Sequence, residues 1–402
     1  MPIFHYIADG RLYACTDKQA AEIRSSVLDT YLRRVKESAG RNEWKHSGEG
    51  AAFRGAYVPG ADAESRVAAV HSRVFCAVEQ DGALIYSLAI DRSTGIYSKR
   101  PDSDTDGIVI SSGDTAYADF DIRGGRIALT SAFAGESHIG VLDMGKTNCQ
   151  IYTEGHTWDS QPVWSEAHSD QIYFCCAGLP LNSGGEDEPP TMDYSQIMTR
   201  MFASPQRSVK RGPSSICLLD ISRGSMDELL CDERYDYVRP QSMPDGSLYY
   251  IRRPYRTDEG GNKLGCLADA LLFPLRMLRA LFGFFNVFSA KYSGKTLSKS
   301  AGVKQRDEEK LFIDGNLINA EAELRANQSR GDEHPGIIPH TWELHRLAPD
   351  GSDTLVRRGV AAYFAEADGS LLISNGSAIL RRTPDGREEK LLDAARVTFI
   401  RG

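Results

Sequence analysis

Short runs in which apolar and polar residues alternate recur from Ile3 to Arg401, and turn dipeptides separate them. A period of two over so few residues specifies half-buried β-strands, and their regular recurrence specifies an all-β repeat architecture. Asp9-Gly10, Asp81-Gly82, Gly124-Gly125, Asp245-Gly246 and Asp368-Gly369 all fall where two such runs must reverse. Pairs of this kind accept the positive φ that tight hairpins require. The best-formed unit runs from Asp159 to Ala177: a run led by Pro162 and Trp164, a polar turn over 165–170, and an apolar run from Gln171.

Aligning the other runs on that unit groups them in fours. Ile3–Ala8, Arg11–Thr16 and Gln19–Ser25 supply three strands of a first group. The second reads Arg66–His71, Arg73–Val78, Ala83–Asp91 and Gly95–Lys99. The third reads Ala116–Ile122, Arg126–Ala132, His138–Asp143 and Cys149–Thr153. The fourth takes Gln161–Ser165, Gln171–Ala177, Ser215–Ile221 and Asp227–Cys231. The fifth takes Val238–Met243, Ser247–Arg253, Thr341–Ala348 and Asp353–Arg358, and the sixth Ala361–Glu366, Ser370–Asn375, Ala378–Thr383 and Glu388–Leu392. One strand is left over, Arg396–Arg401, and the first group lacks one. Joining them removes an open sheet edge.

The pieces Ser-Gln-Pro-Val-Trp-Ser at 160–165 and Arg-Pro-Gln-Ser-Met-Pro-Asp-Gly-Ser-Leu-Tyr-Tyr at 239–250 resemble the repeat of the TolB-like, or WD40-like (PD40-type), β-propeller family. The resemblance extends over most of the chain at the level of whole repeats. It implies an all-β, six-bladed β-propeller over residues 1–402, closed by one C-terminal and three N-terminal strands. Seven blades is the alternative, with Asn42–Tyr57 hiding the extra strands. It implies no particular activity, because propellers serve as scaffolds, partner sites and enzyme subdomains alike.

Three stretches, 25–64, 179–213 and 254–340, interrupt the rhythm. Each replaces a connection that leaves the same edge of its blade, since successive strands alternate in direction, so all three are expected on one face. The first holds a helical pattern over 26–38, with Val27, Leu28, Tyr31, Leu32 and Val35 on one side and Ser26 as its cap. The third holds an amphipathic stretch over 267–290. Asp269, Arg276, Arg279, Gly283 and Asn286 trace a narrow polar stripe, while Leu271, Leu272, Leu275, Leu278, Leu281, Phe282, Phe285 and Phe288 cover the remainder. Left in water, those eight side chains would forgo on the order of 10–20 kcal/mol, so something covers them. The longest uncharged run of this stretch, Ala280–Ala290, is far short of the ~20 residues of a membrane span. The cover is the propeller itself, a protein partner or second copy, or a membrane surface. Lys291, Lys295, Lys299, Lys304 and Arg306 suit the last of these. Residues 317–330 read as a second helix able to pair with the first.

Composition narrows the function. The net charge of -8 over 402 residues argues against wholesale nucleic-acid binding, which needs a basic face. Met1–Tyr6 lacks the charged and apolar regions of a secretory leader, so a cytoplasmic setting is expected; a bacterial one goes with the reading as an interaction propeller. None of the eight cysteines forms a C-x-x-C pair, and buried reduced thiols are the expectation for them. Asn327 and Asn375 head glycosylation tripeptides that a cytoplasmic chain would not use.

Catalytic signatures are sparse. Ser293-Gly-Lys-Thr echoes the end of a phosphate-binding loop, yet Ser289 stands where that loop needs glycine, and no buried strand precedes it. No G-x-S-x-G elbow occurs. Sugar lyases of the TolB-like type hold a metal with propeller-face histidines, which makes His46, His138, His156, His334 and His340 weak metal candidates. No pair among them has local ligand spacing. The leading reading is a scaffold with no catalytic residues and no cofactor. It would present Leu271, Leu275, Leu278, Leu281, Phe282, Phe285 and Phe288 to a protein partner. An enzyme acting on a small or saccharide substrate in the propeller funnel, metal-assisted or not, is the alternative. A peripheral membrane scaffold using 267–306 is the third.

Overall fold

Residues 4–16, 18–42, 63–179, 211–255, 310–313 and 316–402 are described by a computed structural model. Their strands assort into groups of four antiparallel neighbours. The first runs β26 (Val397–Arg401), β1 (Phe4–Ala8), β2 (Arg11–Thr16), β3 (Gln19–Glu22). The second runs β4 (Ser72–Gln80), β5 (Ala83–Ile90), β6 (Ser93–Lys99), β7 (Gly107–Ser112). The third runs β8 (Ala116–Arg123), β9 (Arg126–Phe133), β10 (Glu136–Asp143), β11 (Cys149–Ile151). The fourth runs β12 (Thr157–Trp164), β13 (Gln171–Gly178), β14 (Ser214–Asp220), β15 (Ser225–Leu230). A single parallel pairing of Ser137 with Trp158 joins these two groups into one eight-stranded sheet, with β11 branching from β10. The fifth runs β16 (Tyr235–Ser242), β17 (Leu248–Pro254), β20 (Glu343–Leu347), β21 (Asp353–Arg358). The sixth runs β22 (Ala362–Ala365), β23 (Leu371–Ser374), β24 (Ala378–Arg382), β25 (Glu388–Asp393).

The two chain ends meet: β26 pairs antiparallel with β1, Tyr6 opposite Ile400. Apolar side chains from successive groups fill the space between them. Trp164, for example, lies with Ala128, Ile139 and Val141 of the third group and Phe174 and Leu219 of its own. Tight turns close the hairpins as their composition demands: Asp9-Gly10, Asp81-Gly82 and Gly124-Gly125 have positive φ at both positions, matching the right-handed twist of the flanking strands.

The second group differs from the sequence expectation by one strand. Residues 66–71 supply no strand. Part of that run lies in helix α2 (Ala63–Ala68), and the group starts at Ser72 and ends with β7. The run Val67-Ala-Ala-Val carries as much helix as strand propensity. The Ile-Val-Ile of β7 sits behind a polar stretch that hides its rhythm.

Helix α1 (Ser26–Asn42) is longer than its apolar stripe suggested. Ser25 rather than Ser26 caps it, its hydroxyl accepting from Leu28 N at 3.3 Å, and the Asp106 carboxylate accepts from Ser26 N at 2.7 Å. Val27, Leu28 and Tyr31 pack on the core of the second group. Of residues 317–330, expected to be helical, 317–319 instead belong to β19 (Asn316–Asn319), a hairpin with β18 (Lys310–Ile313). Helix α3 (Ala320–Ser329) starts only after it, capped by Asn319.

Candidate functional site

The innermost strands of the second to fifth groups share one irregularity. In each, two residues oppose a single residue of the next strand, a β-bulge: Phe75 and Cys76, Ala118 and Asp119, Gln161 and Pro162, Arg239 and Pro240. Thr398 is the extra residue in β26. A bulge re-aims the side chains around it, and here the re-aimed residues converge. Cys76, Asp119, Asp121, Gln161, Arg239 and Arg401, with Tyr363 and Phe364 of β22, line a cavity of about 90 Å³.

Gln161 and Arg239 hold φ of 53° and 58°, each just before a proline. Such backbone is costly for residues with side chains and persists where its surroundings over-determine it. Here the restraint is visible. Gln161 Oε1 accepts from Arg239 N at 2.7 Å and from the Cys175 thiol at 3.3 Å.

Similar links run from group to group. The Cys76 thiol donates to the Phe120 carbonyl at 3.1 Å, and Asp121 Oδ2 accepts from Trp164 N at 2.9 Å. Gln241 both donates to Ala365 O and accepts from Ala365 N at 2.8 Å. The Tyr363 hydroxyl donates to the Arg239 carbonyl at 2.5 Å. Arg401 donates to Asp121 Oδ1 at 2.9 Å, joining the first group to the third. Burial works against the Arg401 charge, but Asp121 beside it outweighs this and holds the guanidinium above its ordinary pKa.

This lining can orient a polar or charged group, but its hydroxyl and thiol are poor nucleophiles at neutral pH. Burial pushes the Cys76 thiol and the Tyr363 hydroxyl well above their ordinary values. Burial likewise pushes Cys175, just behind the lining, up to about 12. Most of the lining's polar atoms already bond to a neighbouring strand, so their first role is to fix the frame.

The histidine candidates fall in separate places. His138 and His156 meet across Glu136, at 3.5 and 2.6 Å, and His138 lies 3.8 Å from the buried Asp159. Asp159 chiefly, with Glu136, raises the His138 pKa against the effect of burial. His340 pairs with Asp332 at 2.8 Å, and His334 offers its carbonyl to Asn375. His46 lies outside the described residues. Among the described residues no group of three or more histidine, cysteine or acidic side chains could hold a metal ion. Leu271, Leu275, Leu278, Leu281, Phe282, Phe285 and Phe288 lie outside the described residues as well. The thiols divide: Cys15, Cys76, Cys175 and Cys217 are buried as expected, whereas Cys231 is exposed.

Sequence reasoning treated the Gln-Pro and Arg-Pro phrases as repeat markers only. Their signal for the cavity was there: a polar residue before proline, at the same register of two inner strands.

The architecture is mostly β, and its fold neighbours are β-propeller proteins of the TolB type. TolB from Acinetobacter baumannii is 10% identical, with 99% of this chain and 65% of that chain covered at a TM-score of 0.48. The putative TolB from Agrobacterium tumefaciens is 12% identical, with 81% of this chain and 82% of that chain covered at 0.42. A chain of the nidogen/laminin complex is 8% identical, with 99% and 97% covered at 0.44. The chain thus spans 65% of the length of the Acinetobacter protein. No family model and no curated protein matches the sequence.

Proposed function

We infer that this chain is a non-enzymatic protein-interaction scaffold: a six-bladed β-propeller, closed by its C-terminal strand, that presents insertions on one face to a protein partner. The observation that carries this reading is the junction from which the second and third insertions spring. Gly212 N donates to Gly178 O at 2.8 Å, and Tyr255 N donates to Arg234 O at 2.8 Å. The Tyr255 hydroxyl in turn donates to the Arg211 carbonyl. The second and third interruptions therefore leave the frame side by side, from a base stiffened by the inner-strand links. Long segments rooted together on a rigid sheet are where binding function concentrates.

On this reading the apolar stripe Leu271–Phe288 supplies the anchors and its charged flank the rim. The test is capture from the native host with the full chain and with Phe282→Asp and Phe285→Asp. Loss of one specific partner with an unchanged melting temperature supports the reading. Variants that unfold make the stripe part of the core and remove its support.

A second reading draws on the central cavity, where Asp119, Asp121, Arg239 and Arg401 converge: an enzyme for a small or saccharide substrate. Stoichiometric metal in the purified protein, or turnover lost in Asp119→Asn, would favour it.

A further inference from the structure

The outermost strands of the groups are sheet edges, and proteins guard such edges by making them short, charged or bulged. Five of the six here carry a clear guard. β3 and β11 have four and three residues. β15 carries Asp227 and Glu228; β21 carries Asp353, Arg357 and Arg358; β25 carries Glu388, Glu389, Lys390 and Asp393.

β7 differs. Its sequence Gly-Ile-Val-Ile-Ser-Ser is six residues long and uncharged. Its bulge at Val109 is a device that β15, β21 and β25 also have, on top of their charges. Ile108 is 68% exposed, more than any other large apolar side chain among the described residues. Among those residues β7 pairs only with β6, so its outer row of N–H and C=O groups faces away from the sheet.

The flanks of this edge say what fits on it. Exposed Asp102 and Asp104 precede it, exposed Asp114 follows it, and Arg100 is the exposed cation beside them. Lys99 and Asp106 cancel each other at 3.3 Å. Three aspartates against one arginine leave the ends of an apolar edge negative. A second copy of this chain would bring the same negative ends, on a molecule of net charge -8.

We propose that the β7 edge is a strand-addition site for an extended segment of a protein partner, with β-branched apolar residues at alternate positions and lysine or arginine at both ends. Main-chain hydrogen bonds to the edge give affinity, contact with Ile108 sets the register, and the flanking aspartates select the charge. The site shares no residue with the stretch 271–288.

The probe is a labelled nine-residue peptide of alternating isoleucine and threonine with two lysines at each end. Its control has glutamates in place of the lysines. Fluorescence anisotropy with the full chain is expected to show the lysine peptide binding at least about tenfold tighter, and hydrogen exchange to slow at 107–112. Ile108→Lys, at a position exposed enough to leave the fold intact, weakens the lysine peptide by about tenfold or more. Asp104→Asn with Asp114→Asn narrows the preference between the two peptides. Phe282→Asp leaves peptide binding intact, which separates this site from the insertion reading. Equal affinity for the two peptides overturns the proposal, as does full binding by Ile108→Lys. So does a concentration-dependent dimer in sedimentation that Ile108→Lys abolishes, since the occupant would then be a second copy.

Discussion

The innermost and outermost strands use the same device to opposite ends. Both rows carry bulges at a repeated position. In the inner row the bulges turn Asp119, Gln161 and Arg239 toward one cavity, and hydrogen bonds from the next group hold Gln161 and Arg239 there. In the outer row the extra residues are Val109, Leu229, Val356 and Leu391, and these bulges bend strands that, among the described residues, have a neighbour on one side only. A bulge in a crowded place becomes a fixed part of the frame; at an edge it interrupts a surface that would otherwise accept another strand.

This contrast is broken most severely at the inner end. Trp164→Ala should cost about 3–5 kcal/mol, because the ring is buried between the third and fourth groups and leaves a large void. A urea midpoint near the native one would mean that the inner row is less rigid than its packing implies. Asp121→Ala should cost about 2 kcal/mol by leaving both Trp164 N and Arg401 without their acceptor. Arg401 keeps 26% of its side chain exposed, so the loss falls below that of a fully buried pair. Thermal melting checks this, and an unchanged melting temperature counts against the strand-to-strand links.

Acid sharpens the comparison with groups that lie between the two rows. The Asp106 carboxyl is buried, and donors from Tyr86 and Ser26 together with Lys99 outweigh that burial and hold its pKa below the ordinary 3.8. Its contribution is thus present above pH 3.8 and lost as pH falls through the lower folded value. Asp106→Asn should flatten the stability profile in that acid range, measured by urea titration. His138 has the opposite sign. Its pKa is raised, so its contribution is present below 6.5 and fades as pH rises through the folded value. His138→Gln should remove that fade, with Asp159, Glu136 and His156 as the groups facing it. The smallest effect belongs to the outer row: Leu229→Ser should change stability by no more than about 0.5 kcal/mol. A larger loss would show that the outer row bears weight after all.

Much of this frame was legible in the alternation of apolar and polar residues. The third to sixth groups follow it closely, and the pairing of 397–401 with the first strand follows from counting edges. The second group was misaligned because Val67-Ala-Ala-Val carries no period that separates helix from strand. The start of α3 was misplaced because β18 claims 316–319 as its hairpin partner, which local pattern cannot reveal. The cavity was the least legible part. Its residues are spread over all six groups, from Cys76 to Arg401, and only a three-dimensional register brings them together. The one local clue, a polar residue at positive φ before proline, needs backbone angles to be recognised.

The pairing of β26 with β1 also sets a timetable for synthesis. Between Ala8 and Val397 the ribosome must add 389 residues (397 minus 8). At ~5–20 residues per second that is a wait of roughly 20–80 s. Throughout it, the strand Phe-His-Tyr-Ile-Ala has a sister on one side and an open edge on the other. The first group to emerge is therefore the last to be completed, and whatever shields that edge in the interval belongs to the folding of this protein as much as its final contacts do.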